Sequence, residues 1–334
     1  MLYRVSRPVV ACSASCSGAS GAGGHTPAAV PMTRAWIALA VATAPLRVAT
    51  AQNADSLLAV GRVAAAESAL YAASSARPRD PGARARLGQF IALRGGTRAG
   101  AVLLEEARQF GGDSAMIAEA LAPLYKRLAD YRALIALQPS RLTPNERLRA
   151  EFLVSNPTRT VIRDSVSRMP YRAGRRAGFG TVLLRIGRAE LAAVIDPATT
   201  GLVVPASMRS DVRIFGDSAS RVGVVSARIG TQMFENISAT LATGDEPTRI
   251  GFDILSTFSP TFDPRAGRIT LHRPERRWRP GPGTRMPALY DESGIRLLFN
   301  GLWTLSSAPN ASQLLAGRAW TWDARRGDVV LLTP

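Results

Sequence analysis

Lysine, cysteine and histidine are almost missing from this chain of 334 residues. Lys126 is the one lysine, Cys12 and Cys16 are the cysteines, and His25 and His272 are the histidines. Both cysteines and His25 fall in a stretch that reads as a leader, so the mature chain keeps His272 and no cysteine. That excludes a cysteine nucleophile, a zinc site built from Cys and His, and a thiol redox motif; no metal and no cofactor are expected. A Ser-His-Asp triad would hang on His272 alone, beside a Pro- and Arg-rich stretch. Any hydrolytic chemistry therefore falls to carboxylates.

Long apolar runs are absent too. The longest in the leader, over 35–42, is too short to anchor a protein in a bilayer, so no stable membrane span is expected. The net charge of +17 comes almost wholly from arginine. A basic excess can mark nucleic-acid binding, but no aromatic-interleaved basic stripe accompanies it, and no nucleic-acid partner is expected.

Residues 1–31 are rich in Ser, Gly, Ala and Pro without periodicity and read as an over-extended, disordered leader, with translation expected to start at Met32. Met32-Thr33-Arg34, the apolar run and Ala49-Thr50-Ala51 then form a basic start, a short core and an Ala-x-Ala end. That is a secretory signal peptide over 32–51, cleaved near Ala51. The mature protein is expected to be extracytoplasmic, periplasmic or secreted.

Between 53 and 156 alanine and leucine dominate, both strong helix formers. Gly61, Ala66, Leu70, Ala73 and Pro78 make one unit, and Leu87, Gly88, Gly95, Leu104 and Ala107 a second; Leu121, Tyr125 and Ala129 begin a third. The step from Gly61 to Gly95 matches the roughly 34-residue period of tetratricopeptide repeats, which this segment resembles. Small residues let paired helices approach, and larger ones fill the gaps between pairs. The expectation is a short solenoid of about five to seven helices that docks a peptide or protein, or caps its neighbour. Pro139, Pro144 and Pro157 are expected to interrupt the last helices. Nothing in this half suggests chemistry.

From Gly178 the period switches to two. Residues 181–195 read as two strands joined at Gly187-Arg188. The second delivers Asp196 into Pro197-Ala198-Thr199-Thr200-Gly201, and an apolar strand resumes at Leu202. A lone carboxylate is thus held at the tip of a tight turn between buried strands. Downstream lie a glycine-bearing segment with Gly216 and Gly223, then Ile250-Gly251-Phe252-Asp253-Ile254-Leu255, then a hairpin from Thr261 to Leu271 that turns at Asp263 and Gly267. Gly251 lets a backbone pass close by. Asp253 reads as a helix N-cap.

Over 178–273 this order resembles the retropepsin-like aspartic peptidases. The resemblance implies an all-β closed barrel with Asp196 catalytic and Pro197, Ala198, Thr199, Thr200 and Gly201 as the active-site turn. It implies a mobile flap around Gly216 and Gly223, with Gly251 and Asp253 as structural support. The family hydrolyses peptide bonds with a water held between two carboxylates that share one proton. One such turn supplies one carboxylate, so the resemblance implies a homodimer that brings two copies of Asp196 together, acting on a peptide or protein. The chain departs from the family at the turn itself, which there reads Asp-Thr-Gly or Asp-Ser-Gly. Pro197 has neither hydroxyl nor N–H, and Ala198 adds a methyl where the family has glycine. The alternative is a catalytically inactive peptidase fold that binds peptides or proteins together with the helical repeats.

The Thr261–Leu271 pattern returns as Thr321–Leu331. Asp291-Glu292-Ser293-Gly294 is the one candidate for a second acidic turn, but too little chain separates it from Thr321 to build a second lobe. A Pro/Gly/Arg-rich linker over 274–287 and a small β appendage over 288–334 are expected. The predicted fold class is thus an N-terminal α-helical tetratricopeptide-like solenoid, an all-β retropepsin-like closed barrel, and that appendage.

Overall fold

The computed structural model describes residues 51–334 apart from 138–141, 162–163, 175–178, 274–278, 307, 324–325 and 334. The leader, all but the last residue of the signal peptide, Pro139 and the start of the expected linker lie outside the described residues.

Helices fill the first part because alanine-rich segments with short glycine or aspartate breaks leave the backbone no better arrangement. They are α1 (Ala51–Ala59), α2 (Val63–Ala76), α3 (Pro81–Leu93), α4 (Thr97–Gln109), α5 (Ser114–Arg127), α6 (Tyr131–Leu137) and α7 (Pro144–Ser155). Each packs on the next. Asp80 and Asp113 cap α3 and α5 by accepting hydrogen bonds from amides of the first turn. Pro144 does not interrupt a helix, contrary to expectation. It opens α7 behind a capping box of Thr143 and Glu146, where a missing N–H does no harm.

Four helices end with one turn geometry, α4 among them, where Gly111 at φ 85° and Gly112 donate to Arg108 and Ala107. After α1, α3 and α5 the chain swings through Gly61, Gly95 and Ala129 at φ of 77°, 86° and 52°. Each of these residues and the one after it donate back into the ending helix in the same pattern. Gly61 and Arg62 reach Leu58 and Leu57, Gly95 and Gly96 reach Ala92 and Ile91, and Ala129 and Asp130 reach Lys126 and Tyr125. This is the left-handed helix C-terminus that glycine favours, and the turn after α5 fills it with alanine. Between α3 and α4, a Cβ on Gly100 would stand 2.6 Å from the Gly88 carbonyl oxygen, so backbone touches backbone.

The strands are β1 (Arg159–Val161), β2 (Val166–Arg172), β3 (Thr181–Ile186), β4 (Ala189–Asp196), β5 (Leu202–Val204), β6 (Arg213–Ile214), β7 (Val222–Ile229), β8 (Gln232–Leu241) and β9 (Arg249–Gly251). The short helix α8 (Phe252–Leu255) follows, then β10 (Ser259–Asp263), β11 (Arg268–His272), β12 (Gly283–Asp291), β13 (Gly294–Phe299) and β14 (Leu302–Leu305). Helix α9 (Pro309–Ala316), β15 (Trp320–Asp323) and β16 (Asp328–Leu332) complete the chain. Strands β3, β4, β9, β5, β8 and β7 pair in that cyclic order and close a barrel around Leu184, Ile195, Leu202, Phe234 and Ile250. The pairs β4–β9 and β5–β8 are parallel, and between them they hold the Asp196 turn.

Outside the barrel the sheet continues β2–β11–β10–β15–β16–β12–β13–β14. The two echoing hairpins meet at its centre. Thr261 of β10 stands opposite Thr321 of β15, and Phe262 stacks on Trp320 at 3.9 Å between ring centroids. The last strands contribute Met286, Tyr290, Trp320, Trp322 and Val329 to the same buried cluster as the barrel, so they share its core instead of hanging from it. The expected linker also ends early. From Gly283 it is strand, because pairing with β16 satisfies its backbone groups.

Candidate functional site

Asp196 ends β4, with Gly251 its register partner in β9. Pro197 has no N–H, so the first amide free to meet the carboxylate is that of Ala198, which donates to Oδ1 at 3.0 Å. The Thr199 hydroxyl donates to Oδ2 at 2.9 Å, and the Thr199 amide donates to the Asp196 carbonyl oxygen at 3.1 Å. Arg249 stands 3.8 Å from Oδ2, with the Asp196 side chain 25% exposed. Each oxygen of the carboxylate is therefore bound within its own turn.

Asp253 does a different job from the N-cap expected of it. Gly251 occupies the N-cap position of α8, while the Asp253 carboxylate reaches the Gly201 amide at 3.1 and 3.2 Å. The Gly251 amide in turn donates to the Gly201 carbonyl oxygen at 2.8 Å. A Cβ on Gly251 would lie 2.1 Å from Asp253 Oδ1 and 2.5 Å from the Thr199 carbonyl oxygen, which is why no side chain fits there. Asp253 keeps some accessible surface as a residue, but protein atoms crowd its carboxylate. That burial pushes its pKa up to about 6, against the opposing pull of the Gly201 and Ile254 amides and Arg127.

Part of the turn is covered by the same chain, while Ala198 and Thr200 stay exposed. Pro197 is buried, and Gly294, at the start of β13, lies against it, a Cβ there standing 3.5 Å from the Pro197 Cβ. The two acidic turns singled out in the sequence are thus neighbours. Asp291 is committed as well, accepting from the Ser293 amide at 2.8 Å and pairing with Arg296. Helices α5, α6 and α7 form the other wall of a cleft of about 230 Å³, which Pro197, Ala198 and Thr200 line from the barrel side. Arg127 stacks over the Tyr290 ring at 4.0 Å. Burial raises the Tyr290 pKa, and the charges of Asp253 and Asp196 push the same way while Arg127 opposes them.

The glycines of the expected flap both lie against other elements. Gly223 lies within β7, opposite Ala239 in the barrel wall. Gly216 sits against Asn145 of α7, where a Cβ would meet Oδ1 at 2.1 Å, and Phe215 packs on Phe152 at 5.3 Å. Helix α7 thus occupies the space beside this hairpin. His272 ends β11 opposite Ser259. Among the described residues no cluster of three acidic, histidine or cysteine groups is placed to hold a metal, and no helix is long and apolar enough to cross a membrane. Sequence reasoning missed Arg127, Tyr131, Arg149 and Tyr290, whose approach to the turn depends on contacts distant along the chain and leaves no local pattern.

No protein-family model matches the chain. No characterised protein matches it by sequence. Among solved structures it is similar to a retropepsin-like aspartic protease from Rickettsia conorii, with 13% identity and a TM-score of 0.24, over 35% of this chain and 95% of that one. The closed barrel itself stands on the strand pairings described above.

Proposed function

We propose that this chain is a non-hydrolytic, peptidase-like binding module, in which the barrel and the helices together hold a peptide or protein segment. The observation that carries the reading is the setting of Asp196. Its oxygens accept from Ala198 and Thr199, which orients the carboxylate without using up its acceptor sites, and Asp253 is tied under Gly201. An aspartic peptidase needs two carboxylates turned to one shared water, and here Gly294 lies against Pro197 while α5–α7 wall the cleft through which a second Asp196 would have to come. Hydrolysis by a homodimer would also require two Asp196 turns to meet face to face, which means displacing α5–α7 and the 291–294 turn from each. The tetratricopeptide-like reading of the helices fits the same proposal, since they supply a wall of the cleft. Export rests on the 32–51 segment alone; Edman sequencing of the secreted chain should begin just after Ala51, and a blocked or upstream terminus would end that part of the reading.

The deciding experiment is digestion of a peptide library by the purified chain at acidic and neutral pH, beside Asp196→Asn, with mass determination by light scattering. The expected result is no cleavage by either protein and the mass of a monomer. Cleavage that disappears in Asp196→Asn, in a sample with the mass of a dimer, restores the peptidase.

A further inference from the structure

Arg149 is a half-buried cation that its own chain leaves short of partners. It stands on α7, and its Nε is enclosed with no hydrogen-bond partner among the described residues. Its Nη1 makes one long bond, 3.4 Å, to the Ala239 carbonyl oxygen. Glu146, the acidic group whose charge it feels, is bound instead by the Thr143 amide and hydroxyl at 3.0 and 2.9 Å. Burial pulls the arginine pKa below its ordinary value, with Tyr131 and Glu146 opposing. Desolvating a guanidinium without a paired carboxylate is unfavourable. Among the described residues no carboxylate forms an ion pair with it, and the side chain lines the 230 Å³ cleft beside the Asp196 turn.

That cleft offers the rest of an anion site. Lys126 adds a second cation to its wall, and Thr200 and Thr240 add hydroxyls. Arg127 is engaged with Tyr290, donating to its carbonyl oxygen at 3.3 Å. Glu146 and Glu292 also line the space; Glu146, though bound to Thr143, offsets part of the Arg149 charge without pairing with it directly. With Nη1 directed at Ala239 and Nε enclosed, Nη2 is the nitrogen left to meet an anion, and a two-point fork onto a carboxylate would form as Nε is uncovered. At about 230 Å³ the space is smaller than the roughly 300–1,000 Å³ of whole-ligand sites, so it suits a terminal group and not a chain passing through.

We propose that Arg149 anchors a carboxylate in this cleft, that of a peptide C-terminus or of a small organic acid, with Thr200 and Thr240 as hydroxyl donors. The peptide form of this inference rests on the binding reading above. The test uses the full chain, titrated by calorimetry and thermal shift with a pool of short peptides bearing free C-termini, the same pool amidated, and sodium acetate. The free-acid pool should raise the melting temperature. The amidated pool should bind at least about tenfold more weakly, and Arg149→Gln should erase that difference. Peptides that outperform acetate identify a chain end, whereas acetate protection that peptides do not improve, lost in Arg149→Gln, identifies a small acid. Equal binding of both pools leaves peptide binding intact and removes the Arg149 anchor; no shift with any ligand overturns both. Because the charge is unpaired, Arg149→Met should melt no lower than the wild type. A large fall would make Arg149 a packing residue and overturn the proposal.

Discussion

Ala129 sits where a side chain is poorly tolerated. Its φ of 52° is the left-handed conformation that Gly61 and Gly95 occupy in the equivalent turns. A Cβ there is unfavourable by roughly 1–2 kcal/mol, part of which is offset by the smaller freedom of alanine in the unfolded chain. Ala129→Gly should therefore stabilise the protein by about 0.5–1 kcal/mol, seen as a higher melting midpoint, and Gly95→Ala should lower it by a similar or larger amount. Asp253 makes a second prediction. Its ordinary pKa is 3.8 and its folded value about 6, so the folded chain holds this proton more tightly than the unfolded one. The stability that follows is complete below the unfolded value and is lost as pH rises through about 6. The wild type should lose stability relative to Asp253→Asn between about pH 4 and 7 in paired melting series, and parallel curves would contradict the assignment.

At the level of elements, one arginine joins the helices to the last hairpin. Arg94, just beyond α3, donates to the carbonyl oxygens of Ala288 and Gly327 at 2.8 and 2.5 Å and pairs with Asp328 at 2.8 Å, both side chains 13% exposed. Breaking a buried pair of this kind leaves Asp328, among the described residues, with the longer ion-pair contact to Arg285 at 3.5 Å. Arg94→Ala should cost about 3 kcal/mol in urea unfolding, whereas Arg94→Lys, which lacks the fork, should recover only part. Elements of this fold were legible where the signal was local. The Gly187-Arg188 hairpin, the Asp263–Gly267 turn and the Asp196 turn each carry their own turn residues, and the structure forms all three. Asp253 was misread because an aspartate in a first helical turn suits a cap equally well, and only the approach of Gly201 redirects it. The strand from Gly283 was hidden by proline and glycine, which signal breaks unless a partner such as β16 is known.

Over the whole molecule, the barrel interior was readable from alternating apolar residues, but the covering of the Asp196 turn was not. No periodicity in α5 or α7 states that Arg127 and Arg149 will face a strand turn far along the chain. The same is true of Tyr290. The arrangement predicts that helices and barrel unfold together, since the Trp303 indole donates to Leu58 at 2.7 Å, and Arg94 clamps the last hairpin. A single transition, seen alike by far-ultraviolet circular dichroism and tryptophan fluorescence, is the expected outcome; two separated transitions would show that the halves are independent.

The meeting of Thr261 with Thr321 has a consequence for shortened forms of the protein. Severing the chain after Arg273 would strip β15 from β10 and bare a row of unpaired amides and carbonyls beside Phe262. Because the missing strand resembles the one left behind, the natural replacement is β10 of a second molecule in the same register. Such a fragment should self-associate through that edge, rebuilding between two molecules the junction that the full-length chain makes within one.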